Sequence, residues 1–254
     1  MSTEGGRRLA RPTAAEPWRS GQTWQAWALQ AGIGVALALL LVGGVFAVEL
    51  AAGWLRIEGV ATSGAPTALG VGLGRALLVA AVEETIFRGG LLAYLQRPIG
   101  TLGAAAVSSV AFALVHAWNA NVTPLAIANL ALAGGLFALA YLVGRGFEPS
   151  FASEEVAAHG VARLAYVIGR GLPLPIGLHA GWNFFEGSVF GFPVSGSPRD
   201  SLLQISVPGP ELATGGTFGP EGGLLGLGAI LVTGLALWAV RGRVPRSEPL
   251  SAGQ

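Results

Sequence analysis

Residues 27–55 carry a single charged side chain, Glu49. A helix over that stretch reaches roughly 40 Å at about 1.5 Å per residue, more than the roughly 30 Å hydrocarbon thickness of a bilayer. Apolar runs of helical length recur at residues 67–95, 101–118, 124–143, 173–190 and 222–240. Only 11% of the 254 residues are charged and 52% are hydrophobic, against about 25% charged in a soluble domain. That balance excludes disorder and an ordinary soluble enzyme. It predicts an all-α polytopic membrane helical bundle of about six transmembrane helices. The 40 glycines suit close helix packing in lipid. The chain has no cysteine, hence no thiol nucleophile and no Cys-based metal site. With a net charge of +1 it shows no nucleic-acid footprint.

The distribution of arginine predicts the orientation. Residues 1–25 form a polar tail with Arg7, Arg8, Arg11 and Arg19, and residues 242–254 form a second tail beside Arg241, Arg243 and Arg246. Both tails are expected to be cytoplasmic, which demands an even number of spans. Six spans also place Arg97, Arg145, Arg163 and Arg170 inside, with Arg56 and Arg199 outside. The helical domain then covers residues 26–241. Residues 147–171 are too polar for a span and are read as an interfacial or re-entrant helix near 153–169, with an internal echo between residues 138–146 (ALAYLVGRG) and 163–171 (RLAYVIGRG). Residues 191–220 read as a Gly/Pro/Ser-rich loop with a weak apolar patch at 202–207. Pro220 and Glu221 read as a helix start. Lysine is absent, and the wealth of Gly, Ala and Arg suggests a GC-rich genome. The expected location is a prokaryotic cytoplasmic membrane.

A charge at a transmembrane helix centre costs roughly 2.5–3.5 kcal/mol on insertion scales, yet the second helix holds Glu83, Glu84 and Arg88. Glu84 and Arg88 are four apart and share a face, so they can pair. Glu83 is rotated by roughly 100° and has no local partner. An unpaired, desolvated carboxylate suits general acid/base work. His116 ends the third helix, and His179 lies one turn before Asn183 in the fifth. Ionisable groups in a membrane face the bundle interior, so Glu83, His116, His179 and Asn183 are expected to share one polar pocket. A carboxylate and two imidazoles can hold a zinc ion or fix a water molecule. Asn183 can donate to a developing oxyanion. The chemistry that follows is hydrolysis of an acyl bond. Glu49 and Glu186 read as interface residues, and Arg75 as snorkelling or paired.

Three motifs carry a resemblance. Glu83-Glu84-Thr85-Ile86-Phe87-Arg88 is E-E-x-x-x-R, Phe112 to His116 is F-x-x-x-H, and His179 to Asn183 is H-x-x-x-N. Within a core of residues 66–192 the chain resembles the CPBP intramembrane proteases, also called the CAAX protease and bacteriocin-processing or Abi family. The type II CAAX prenyl proteases belong to that family. The stretch from Phe218 to Gly223 is similar to the ends of some bacterial members. The resemblance implies a membrane endopeptidase acting on membrane-associated proteins or lipopeptides, C-terminally prenylated ones among them. By that likeness Glu83 activates the water and His116 helps to hold it. His179 and Asn183 stabilise the oxyanion, and Glu84 and Arg88 support the site. The family is commonly called metalloprotease, which would put Zn2+ or another divalent ion on Glu83, His116 and His179.

Other protease classes fail on inventory. An aspartyl dyad needs two Asp, and Asp200 stands alone; H-E-x-x-H is absent. Ser109 lies on the face of His116, but Ser108 and Ser109 read more simply as small packing residues. The competing reading from another class is a non-catalytic transporter, or a bacteriocin-immunity or binding protein, with the polar cluster as an ion or proton site. No second half matches the first, so inverted repeats do not support a transporter.

Overall fold

The computed structural model describes residues 21–146 and 171–241. Helix α1 spans Gly21–Ala51 and leads into a short strand, β1, Arg56–Val60. Helix α2, Ala65–Glu84, starts after Gly64 (φ 77°) with a proline in its first turn. Left-handed backbone suits glycine, and proline suits the helix entry. A π-helical turn, Thr85–Leu92, continues α2 into α3, Ala93–Val115. Pro98 and the non-helical Gly100 (φ 74°, ψ 169°) bend α3 into two arms. The break expected at Pro98–Gly100 is borne out: the non-helical Gly100 separates two helical arms. Helix α4, Pro124–Gly146, follows.

Helix α5, Pro173–Asn183, runs into a second π-helical turn, Phe184–Val189. Strand β2, Leu203–Ser206, pairs antiparallel with β1, with an irregularity in register between Ile57 and Gly59. A single helical turn, α6, Glu211–Thr214, precedes the last helix, α7, Leu224–Arg241. The protein is thus an all-α membrane bundle with one two-stranded ribbon. Among the described residues, four helical stretches are long and apolar enough to cross a bilayer: Gln25–Ala51, the bent Ala65–Val115, Pro124–Arg145 and Leu224–Arg241.

Two expectations need correction. The 191–220 segment is not a plain loop. Its weak apolar patch is β2, and alternation over so few residues gave little signal without its distant partner β1. Pro220 and Glu221 do not open the last helix. They form a tight turn, Pro220–Gly222, and extended Gly223 separates it from α7. The helix expected at 153–169, and most of the echo's second half, lie outside the described residues.

Helix α5 is the centre of the assembly. It packs on α1, α2 and α4, and all but two of its residues are buried. Glycine permits this. A Cβ on Gly177 would lie 2.2 Å from the Ala31 carbonyl oxygen, and one on Gly34 would lie 2.5 Å from the Leu178 nitrogen. Gly181, one turn on, meets Val35 and Ala38 in the same way. Small residues four apart let two backbones approach in lipid. Between α3 and α4, Gly134 faces Ser109 Cα, where a Cβ would approach to 2.8 Å. The hydroxyls of Ser108 and Ser109 donate to the carbonyls of Phe87 and Ala105, which fits their reading as packing residues. Phe87, Phe112, Phe137, Leu178 and Trp182 build the core beneath the polar cluster.

Candidate active site

Glu84 and Arg88 straddle the start of the first π turn. Both are fully buried, and Arg88 Nη1 donates to Glu84 Oε1 at 2.9 Å. Its Nη2 donates to the Gly134 carbonyl at 2.9 Å. The guanidinium lies over the Phe112 and Phe137 rings, at 4.7 and 5.2 Å from their centroids, an arrangement that stabilises a desolvated cation. The π turn weakens the local backbone ladder, and the Ser108 hydroxyl takes up the Phe87 carbonyl within it.

Glu84 has a second partner. His179 Nδ1 stands 2.9 Å from the same Oε1. A carboxylate only accepts, so Nδ1 carries the proton and Nε2 is turned the other way. Glu83 lies there, its Oε2 3.8 Å from Nε2. The His179 ring stacks on Phe137 at 4.7 Å and 14° and meets Phe112 edge-on. Ring plane, rotamer and tautomer are thus all fixed. His116 is fixed by similar means. It caps α3, and its Nδ1 donates to the Phe112 carbonyl at 2.7 Å. In the neutral ring this leaves Nε2 with a free lone pair.

Glu83, His116, His179 and Asn183 line one cavity of about 430 Å³. The Glu83 side chain is 24% exposed, and its Oε2 has no hydrogen-bond donor. Among the described residues no three His, Cys, Asp or Glu side chains are grouped closely enough to hold a metal ion. Glu83 and His179 supply two donors and His116 does not join them as a third, so the residues do not fit a three-ligand zinc centre.

The cavity has walls that sequence reasoning missed. Glu221, read as a first-turn acid, is turned into it. Its Oε2 accepts from the Ser195 hydroxyl at 2.5 Å. Ser195 has φ 46°, a conformation uncommon outside glycine and frequent at functional sites. Asn119 donates to the Ser195 carbonyl, and Asn129 donates to the carbonyls of Glu221 and Gly223, tying this wall to α4. Burial pushes the Glu221 carboxyl up from its ordinary value. The Ser195 hydroxyl, His116 and His179 work against that rise. The sequence signals were the likeness of Phe218–Gly223 to the ends of some family members and the glycine density around Glu221, which marks close backbone approach.

Glu49 and Glu186, expected at the interface, are fully buried. The π turn at Phe184–Val189 re-aims Glu186 inward, towards Gly219. The backbone carbonyl of Glu49 accepts from the Trp54 and Leu55 N–H groups, which close the end of α1. Arg75 is exposed and lines the mouth of the cavity.

Comparison with known proteins adds one finding. Residues 65–154 match the family model described as Rce1-like, type II CAAX prenyl endopeptidase. The matched stretch holds Glu83, Glu84, Arg88 and His116, and the resemblance drawn from the motifs is borne out by it. His179 and Asn183 lie beyond the match and reach the site through the fold. No curated protein and no solved structure matches the chain.

Proposed function

We propose that the cavity is the active site of an intramembrane endopeptidase. It hydrolyses peptide bonds of membrane-associated proteins or lipopeptides, C-terminally prenylated ones included, with water activated by Glu83. One observation carries the reading: a carboxylate oxygen with no donor lies 3.8 Å from the His179 ring and shares a chamber inside an apolar bundle with a second imidazole, and the Nδ1 atoms of both rings are tied down.

Glu83 takes a proton from a water molecule while His116 Nε2 accepts the other water hydrogen. The resulting hydroxide attacks the peptide carbonyl, and the Asn183 amide donates to the oxygen that becomes negative. His179, in its protonated form, adds a donation from Nε2; Glu84 on Nδ1 supports that charge. Collapse of the tetrahedral species breaks the C–N bond, and Glu83 returns its proton to the leaving amine. Glu84 and Arg88 touch no reacting atom in this scheme; they hold His179. The match to an endopeptidase family supports the assignment.

The test is cleavage of a lipidated peptide by purified protein in bicelles. Glu83→Gln keeps size and removes the base, so the rate should fall by roughly 10²–10⁴ with melting unchanged. An inactive native protein that still binds ions through the cluster would favour the non-catalytic reading.

A further inference from the structure

The polar chamber is closed towards one end of the bundle. Among the described residues, nothing between residues 84 and 111 or between 138 and 177 lines it. Just past Phe137 and Leu178 the helices close on Leu92, Ala104, Ala138, Tyr141 and Leu172, all buried. At that end Gly171 meets Arg145, Arg145 donates to Gln96, and Gln30 of α1 meets Gly144.

The opposite end supplies the rim. Asn119, Ser195, Arg199 and Glu221 line the chamber and come from the connections between helices. A second groove of about 690 Å³ adjoins it, bordered by Ala61, Gly64, Ser201 and Gln204 beside the β1–β2 ribbon. Gly72, Arg75 and Arg199 border both spaces. One face of α2 runs through the two. Ala65, Ala68 and Gly72 lie along the groove, and Arg75, Val79 and Glu83 continue the line into the chamber, in steps of three and four residues. From Ala65 to Glu83 the helix rises by about 27 Å. An extended peptide covers that distance in about eight residues, at about 3.3–3.6 Å each.

Arginine assigns the two ends to compartments. Arg97, Arg145 and Arg241 sit towards the closed end. Residues 1–20, 147–170 and 242–254 all join the described chain there, and they hold eight more of the 15 arginines. Arg56, Arg75 and Arg199 are left towards the ribbon. Short arginine-rich segments stay in the cytoplasm, so the closed end is the cytoplasmic one.

We infer that the chamber is entered from the non-cytoplasmic side of the membrane, through the groove beside the ribbon, by a chain extended over about eight residues. This rests on the hydrolase reading for the nature of the substrate and narrows it. The protein or lipopeptide that is cut displays its cleaved segment outside the cytoplasm, and a prenylated chain qualifies if it does so.

The chain has no cysteine, so single cysteines report access without further change. Ser63→Cys lies in the groove, Val79→Cys and Ala133→Cys lie on opposite walls of the chamber, and Thr101→Cys is exposed at the arginine-rich end. Each full-length variant is treated with a membrane-impermeant maleimide in spheroplasts and in inverted membrane vesicles. Ser63, Val79 and Ala133 variants should label in spheroplasts and lose that labelling in inverted vesicles, with Thr101→Cys the reverse. Two chamber positions guard against one variant that fails to fold. Chamber cysteines reached from the cytoplasmic face, or from neither face, overturn the inference. A lipidated peptide is then offered to the native protein from each side. Cleavage confined to the cytoplasmic side overturns it too. The expected labelling with cleavage from neither side leaves the entrance standing and removes the hydrolase reading.

Discussion

Glu84 Oε1 is shared between Arg88 and His179, so one buried atom serves both stability and geometry. Glu84→Gln should cost roughly 3–5 kcal/mol, because it strands a desolvated guanidinium, and it should also release the His179 ring. Glu84→Gln combined with Arg88→Gln should regain part of the stability but not the activity. Melting temperature and cleavage rate, measured on the single and double variants, separate the two effects; recovery of both together would show that Glu84 does not act through His179. Glu221 gives a pH prediction. Its raised pKa means that the fold favours the neutral acid. The stability it contributes is complete below the ordinary carboxylate value of 4.5 and is lost as pH rises through the raised value. Glu221→Gln has no such titration, so its melting temperature should gain on the native protein as pH increases. A constant difference from pH 4 to 9 would contradict this.

Two of the three helices that carry a motif run on into a π turn: Thr85–Leu92 after the adjacent glutamates, Phe184–Val189 after Asn183. Nothing in a linear pattern distinguishes a π turn from an α turn, so the inward swing of Glu186 was not legible. The Glu84–Arg88 pair was legible because four residues in a helix fix a shared face whatever surrounds it. The link from Glu84 to His179 was not, because it depends on how α5 docks against α2. Helix positions followed from apolar length, whereas the β1–β2 ribbon joins strands that are short and far apart in sequence. The docking itself rests on glycine. Gly177→Ala would put a methyl group 2.2 Å from the Ala31 carbonyl oxygen, where backbone rather than side chain must yield. A cost of about 1–3 kcal/mol or more is expected, with a larger loss of activity than any lipid-facing control such as Gly228→Ala, whose Cβ would meet nothing. Equal melting for the two variants would show that α1 and α5 do not pack through these glycines.

On the scale of the molecule, polar side chains of α2, α5 and the end of α3, and a wall from the turn before α7, enclose a cavity inside an apolar bundle. The orientation expected from arginine puts both ends of the chain on the cytoplasmic side. Reporter fusions at each end should read the same compartment, and opposite readings would show an odd number of crossings. The pairing of α1 with α5 has a consequence for biogenesis. Helix α1 has its principal partner in a segment made more than a hundred residues later. Until Pro173–Asn183 is delivered, the groove at Gly34 and Ala38 faces lipid, and His179 and Asn183 have not joined the carboxylates. The polar chamber is therefore completed late in synthesis. A nascent chain released before that point would carry Glu83 and His116 without His179 and Asn183, and the chamber would lack one of its walls.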